Sequence, residues 1–251
     1  MKKIALITGA SSGMGADFAR QIDARGEVQE IWVVARRRDR LEALVMELKN
    51  TRGVIIEADL GEELGITLVR QKLETEKPEV VLFVNNAGYG KIGNFTELSR
   101  QDNLGMVDLN IRTLTALTYD VLPFMGMGSS LIQVASLAAF LPISTMAVYA
   151  ASKAYVLSFS TALAVELESR KISVTSLCPG PVATEFFEVA AGIKGHQASG
   201  VIPSALVVKR TLEAARKKKV IFLPTLGWKI SAAFVGFLSK KFIARIAPKL
   251  M

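Results

Sequence analysis

Short apolar runs alternate with longer segments of helical period along most of the chain. The runs at residues 3–8, 30–35, 54–58, 80–85, 130–136, 172–178 and 220–223 predict strands. Several are apolar without alternation, the pattern of strands covered on both faces. Segments 13–25, 38–49, 62–76, 100–125, 149–170 and 203–217 predict helices; in the second, Leu41, Leu44, Val45 and Leu48 share one face. Strand following helix following strand implies parallel strands joined by right-handed crossovers. The expected architecture is a doubly wound α/β sheet of about seven strands in one domain, residues 1–225. Residues 226–251 show no strand pattern and are expected to form a helical tail, part of that domain or a surface or membrane appendage.

Composition narrows the function classes. With 251 residues, 50% hydrophobic and 22% charged, the chain is neither disordered nor in need of covalent staples. A single cysteine, Cys178, excludes an intrachain disulfide and a cysteine zinc cage; it reads as a small buried hydrophobe. A single His196, in a glycine-rich stretch, excludes His-rich metal sites and reads as an exposed loop residue, so no metal is expected. Only four apolar residues follow Met1-Lys2-Lys3 before Thr8-Gly9, against the about 7–15 of a secretion signal. No charge-free apolar window of about 20 residues occurs, so no membrane-spanning helix is predicted. The expected location is the cytoplasm, with or without membrane association through the tail. The balance of 31 Lys and Arg against 23 Asp and Glu, a net +8, calls for an anionic partner: nucleic acid, phospholipid or a phosphate-rich cofactor. The basic residues are dispersed and no basic-aromatic stripe occurs, which ranks nucleic acid last.

The stretch from Thr8 to Gly15, Thr-Gly-Ala-Ser-Ser-Gly-Met-Gly, joins the first strand to the first helix. Glycines at such a junction let backbone N–H groups approach a pyrophosphate, with the positive end of the helix facing it. This makes Gly9, Ser11, Ser12, Gly13, Met14 and Gly15 candidate cofactor residues, although the spacing also suits an ordinary strand-to-helix turn. Chains that bind unphosphorylated NAD place an acidic residue about 20 positions further on, at the end of the second strand. Here that position reads Ala35-Arg36-Arg37-Arg38. Arg36 could hold a 2′-phosphate by charge-assisted bonds, which predicts NADP(H); Arg37, Arg38 and Arg40 read more as surface pairs. Asp59, after the third strand, is expected at the adenine edge or as a helix cap.

Three further elements follow in order: Asn85-Asn86-Ala87-Gly88 ends strand four, Ser136 ends strand five, and Tyr149-Ala150-Ala151-Ser152-Lys153 lies on the next helix. Together with the glycine turn and Pro179-Gly180 they make residues 3–190 resemble the short-chain dehydrogenase/reductase family, of Rossmann-type fold. The resemblance implies an NADP(H)-dependent oxidoreductase in which Ser136, Tyr149, Lys153 and Asn110 are catalytic. Asn110 would hold a water that relays protons to Lys153. The resemblance further implies that Asn86 and Gly88 line the adenine-ribose side and that Pro179 and Gly180 pass the nicotinamide. Val182 would bond the carboxamide through its backbone, and Thr184 would hold it or the pyrophosphate. A homodimer or homotetramer formed through the helices at 100–125 and 149–170 is implied as well.

The residues carry the chemistry on their own terms. Tyr149 and Lys153, four apart, share one helix face. A free phenol ionises near pH 10, too high for a useful base, and a neighbouring ammonium is expected to lower that value. Tyr149 would give its proton to a carbonyl oxygen as hydride reaches the carbon, and Ser136 would bond the same oxygen. Few charges lie in 137–144 and 185–200, so an apolar carbonyl or alcohol, steroid-like or acyl-like, is expected. A silent dinucleotide sensor on the same fold is the alternative, although it would be expected to lack Tyr149 or Lys153. In the tail, Trp228, Ile230, Phe234, Phe237, Phe242 and Ile246 accompany Lys229, Lys240, Lys241 and Arg245 without gathering on one helical face. A peripheral membrane contact, a subunit contact and a cover over the substrate pocket all remain open for it.

Overall fold

The computed structural model describes residues 1–193, 195, 200–236 and 238–247, so His196 and Phe237 lie outside the described residues. Strands β1 (Lys3–Thr8), β2 (Glu30–Ala35), β3 (Arg52–Glu57), β4 (Glu79–Asn85), β5 (Ser130–Val134), β6 (Ser173–Leu177) and β9 (Ile221–Phe222) form one sheet. Their order is β3-β2-β1-β4-β5-β6-β9, and every neighbouring pair is parallel. The seven are the strands the apolar runs predict, with ends displaced by one or a few residues.

Parallel strands need crossovers, and helices supply them on both faces. Alternate residues of β1 and β2 divide between two cores. Ala5, Ile7, Ile31 and Val33 meet helices α1 (Gly13–Asp23), α2 (Arg38–Glu47) and α8 (Ser204–Arg216) through Phe18, Ile22, Leu41, Val207 and Leu212. Ile4, Leu6, Trp32 and Val34 face the other way, toward Ile66, Val69 and Leu73 of α3 (Glu63–Glu76), with Leu117 and Leu163 from elements further along the chain. Burial on both faces is why these strands read as continuous apolar runs.

The predicted helix at 100–125 is interrupted. Helix α4 (Arg100–Val107) runs into a π-helical turn, Asp108–Thr113, then α5 (Leu114–Val121) and a 3-10 turn, Leu122–Phe124. An extra residue per turn re-aims the side chains it carries, and Asn110 is one of them. Helix α6 (Ala147–Glu166) runs whole through Tyr149 and Lys153. Together with the turn before it, it is long and apolar enough to cross a membrane. Its apolar side chains are used differently: Val156 and Leu163 are buried in the body of the fold. Two short strands absent from the sequence reading, β7 (Val182–Ala183) and β8 (Ile202–Pro203), pair with each other and bracket α7 (Phe186–Ala191). The tail forms α9 (Leu226–Val235) and α10 (Lys240–Ile246).

Strand order reverses between β1 and β4, so the loops after their C-terminal ends diverge and leave a crevice, where α/β sheets bind ligands. Gly9 and Gly13, at φ of +66° and +52°, make the turn out of β1. Such backbone favours glycine. Gly15 serves another end: an added Cβ would strike the carbonyl oxygen of Gly9. Replacing Gly15 with alanine should therefore push α1 away from the β1 turn. The expected cost is about 1–3 kcal/mol of stability, read as a lowered thermal unfolding midpoint.

Candidate active site

A single cleft of about 1330 Å³ runs from the glycine turn across the C-terminal ends of the sheet to the tail helices. Its walls include Gly9, Ser11, Ser12, Gly13 and Met14 from the first turn, and Arg36, Asp59, Asn86 and Gly88 from the next three strand ends. Ser136, Tyr149, Lys153, Pro179, Gly180, Val182 and Thr184 complete the same wall. Two of the expected site residues stand apart from it. Gly15 packs behind the wall against Gly9, and Asn110 is fully buried beneath it.

The glycine turn is stitched to its neighbours. The Asn86 side-chain amide donates to the carbonyls of Thr8 (2.9 Å) and Gly9 (3.3 Å), while the Thr8 hydroxyl accepts from the N–H groups of Asn86 and Ala87 (both 2.9 Å). Asn86 thus fixes the turn as well as lining the cleft. Thr184 lies against Gly13, and its hydroxyl accepts from the N–H of Phe186 at 3.3 Å.

The arginines divide the work differently from the sequence reading. Arg36 is exposed at the cleft edge, its guanidinium 3.6 Å from Asp59, whose carboxylate also accepts from the N–H of Gly61. Arg37, expected to be a surface pair, reaches back to the turn. It donates to the Ser11 hydroxyl (3.0 and 3.2 Å), the Ser12 hydroxyl (2.8 Å) and Glu185 (2.9 Å). Arg40 donates to the other Glu185 oxygen at 2.6 Å. Glu185, just ahead of α7, is held below its usual carboxylate range: burial opposes ionisation, but the two arginines outweigh it. The only sequence signal for this clasp was three arginines in a row, and their direction depends on where α2 begins.

At the other end of the cleft, Tyr149 and Lys153 are both buried, at 7% and 5% exposure. The Phe186 ring lies against Tyr149 with centroids 5.3 Å apart, and an added Cβ on Gly90 would meet both rings at 2.9 Å. The Lys153 ammonium donates to the Val134 carbonyl at 2.8 Å and sits 5.8 Å from the Tyr149 ring centroid. Burial disfavours the charged form of each group. Tyr149 is pushed up to about 12, with the Ser136 hydroxyl opposing the rise. Lys153 is pushed down to about 8. The expected lowering of the phenol by its neighbouring ammonium is therefore corrected: enclosure dominates, and the ammonium is turned to a carbonyl. At neutral pH Tyr149 holds its proton and Lys153 keeps its charge.

Ser136 caps the turn after β5, accepting from the N–H of Ala138 at 3.1 Å. Beneath the wall, the Asn110 amide donates to the Tyr89 carbonyl (2.9 Å) and to the Ser152 hydroxyl (3.0 Å), and its oxygen accepts from the Tyr89 N–H (3.1 Å). Ser152 in turn donates to the Tyr149 carbonyl at 2.7 Å. The π-helical turn thus points Asn110 inward to join the loop after β4 to the helix carrying Tyr149. The tail closes the far side: Ser231, Phe234 and Val235 of α9 and Ile243 of α10 line the cleft, and Ile243 packs in one cluster with Tyr149 and Met146. Trp228 lies on Gly180, where an added Cβ would strike the indole.

Comparison with known proteins agrees with this arrangement. The profile of the short chain dehydrogenase family matches residues 3–191. The chain belongs to that family. It is therefore an oxidoreductase of a nicotinamide-dinucleotide-binding fold. Sulfoacetaldehyde reductase 2 of Chromohalobacter salexigens is 34% identical over 204 residues, 79% of each chain. A short-chain dehydrogenase from Sphingobium yanoikuyae, solved in complex with NADPH, superposes with a TM-score of 0.82 at 28% identity, covering 93% of this chain and 94% of that one. The bulky-bulky ketone specific alcohol dehydrogenase from Comamonas testosteroni has a TM-score of 0.75 at 25% identity, with 96% of each chain covered.

Two substitutions separate scaffold from chemistry. Asn110→Ala leaves the backbone N–H and C=O of Tyr89 without their Asn110 partner and should cost about 1–3 kcal/mol, seen as a lower unfolding midpoint. Lys153→Met removes a buried cation whose folded pKa lies below its unfolded one, so at pH 7 the variant should unfold at or above the wild-type temperature while losing turnover. Between pH 8 and 10.5 the unfolded state retains a proton the folded state has lost, so wild-type stability rises with pH. Thermal melts across that range should show the gap to the variant closing.

Proposed function

We propose that the protein is an NADP(H)-dependent carbonyl reductase or alcohol dehydrogenase acting on bulky apolar ketones or the matching alcohols. The observation that carries the reading is one cleft with a glycine turn and the exposed Arg36 at one end and a buried Tyr149–Lys153 pair at the other. The residues present fit a dinucleotide. Left-handed glycines and the Ser11 and Ser12 hydroxyls suit a pyrophosphate, Arg36 suits a 2′-phosphate, Asp59 suits the adenine edge, and Lys153 suits the nicotinamide ribose. Val182 is assigned to the carboxamide through its backbone, and Thr184 to the carboxamide or the pyrophosphate.

When bound, the nicotinamide supplies or accepts the hydride. Tyr149, protonated at neutral pH, donates its proton to the substrate oxygen in reduction and takes one back in oxidation. The Ser136 hydroxyl donates to the same oxygen as negative charge grows there. Lys153, charged at neutral pH, is assigned to the nicotinamide ribose. Asn110 holds the loop after β4 and the Tyr149 helix in register, and a water on its side is assigned to refill the Lys153 proton.

Leu141, Ile143, Met146, Phe186, Phe187 and Phe234 around the reaction centre support an apolar substrate. We assign the cytoplasm as location. We further assign a homodimer or homotetramer through α6 and the α4–α5 segment, where Ala151, Ala154 and Ser158 present small exposed side chains. A panel of ketones matched in reactivity, followed by NADPH oxidation, tests the reading: bulky apolar ketones should be preferred, and preference for small charged keto acids contradicts it. Arg36→Asp should turn the cofactor ratio toward NADH by about tenfold or more, measured as kcat/KM with each cofactor. An unchanged ratio refutes the 2′-phosphate assignment. Reduction should also decline above pH about 8, as Lys153 loses its charge while Tyr149 stays protonated.

A further inference from the structure

The tail helices have more apolar surface than the cleft uses. On α9, Ser231, Phe234 and Val235 line the cavity and Trp228 lies on Gly180. At about 100° per residue, Leu226 and Ile230 lie within about 40° of arc of each other, on the side away from Trp228 and Val235. They are 71% and 60% exposed, and Lys229 stands exposed beside them. Helix α10 repeats the division: Ile243 is buried, while Phe242 is 51% exposed among exposed Lys240, Lys241 and Arg245. This explains why the tail's apolar residues do not gather on one helical face. Such a helix has an apolar neighbour on each side, and the cleft accounts for one.

The charge pattern selects the second neighbour. From Ala214 to the end of the chain there are nine Lys or Arg and no Asp or Glu, so the whole basic surplus lies in that stretch and the rest of the chain is close to neutral. We infer that the outer face of α9 and α10 docks on an anionic lipid bilayer, with Leu226, Ile230 and Phe242 entering the acyl boundary and Lys229, Lys240, Lys241 and Arg245 meeting the headgroups. A second copy of the same face is a poor occupant, because a two-fold contact sets these cations against one another. A nucleic acid would use the cations and leave the interleaved apolar residues in water. Docking also sets the cleft's exposed apolar rim, Leu104, Val189 and Phe234, beside the bilayer; this last point rests on the apolar substrate proposed above.

The test uses the full chain and sucrose-loaded vesicles of phosphatidylcholine, with or without about a third phosphatidylserine, and reads co-sedimentation. Since no turnover is involved, failure here is separate from failure of the proposed reaction. The wild type should partition at least roughly tenfold more onto the anionic vesicles, and high salt should reverse this. Ile230→Glu/Phe242→Glu and, separately, Lys240→Gln/Lys241→Gln should each abolish the excess with unfolding midpoints near wild type. The glutamine pair removes only exposed charge, so it serves even where the glutamate pair misfolds. Equal partition onto both vesicle types, wild-type partition by the glutamine pair, or a wild type that self-associates through this face without sedimenting with vesicles overturns the inference.

Discussion

The enclosure of Tyr149 and Lys153 is the constraint to which the other parts of the site answer. Two ionisable groups at 7% and 5% exposure cannot both hold charge freely, and the protein settles this by leaving the phenol neutral and the ammonium bonded to the Val134 carbonyl. Phe186 closes over the ring from α7, Gly90 lets the chain pass close beneath both, and Ile243 and Met146 complete the apolar shell. A desolvated phenol at this position keeps its proton at neutral pH. The arrangement costs stability, as functional sites commonly do.

Rigidity around that pair comes from hydrogen bonds outside the cleft. Asn110 gives its amide hydrogens to the Tyr89 carbonyl and the Ser152 hydroxyl and takes the Tyr89 N–H on its oxygen, and Ser152 donates to the Tyr149 carbonyl. The π-helical turn aims Asn110 inward and so interrupts an otherwise regular helix. At the opposite end, Arg37 and Arg40 tie Glu185, at the base of α7, to the serines of the glycine turn. The segment that closes over Tyr149 is thereby fastened to the loop suited to phosphates, and the two halves of the cleft share one anchored element.

The strands and most helices were legible in the sequence because burial on both sheet faces leaves continuous apolar runs, and crossover helices keep their period. The site was legible for a different reason: Tyr149 and Lys153 sit one helical turn apart, Gly9, Asn86 and Ser136 each follow a strand, and Gly13 opens α1. What escaped notice depends on direction in space. Arg36 and Arg37 are neighbours in sequence, yet one faces the cleft edge and the other the glycine turn. The break at 108–113 leaves no mark in an apolar pattern that continues through it. The shifts at Tyr149 and Lys153 follow from enclosure by Phe186 and the tail, which lie far off in the chain. The division of α9 into two apolar faces needs Gly180, where Trp228 comes to rest.

The claim that Tyr149 supplies the proton is met most directly by single-turnover hydride transfer from NADPH to any ketone the wild type reduces, with Tyr149→Phe compared at equal cofactor saturation. The phenylalanine ring keeps the packing against Phe186 and removes only the hydroxyl. The rate should fall by about a hundredfold or more with cofactor affinity retained; transfer as fast as in the unaltered chain would contradict the account.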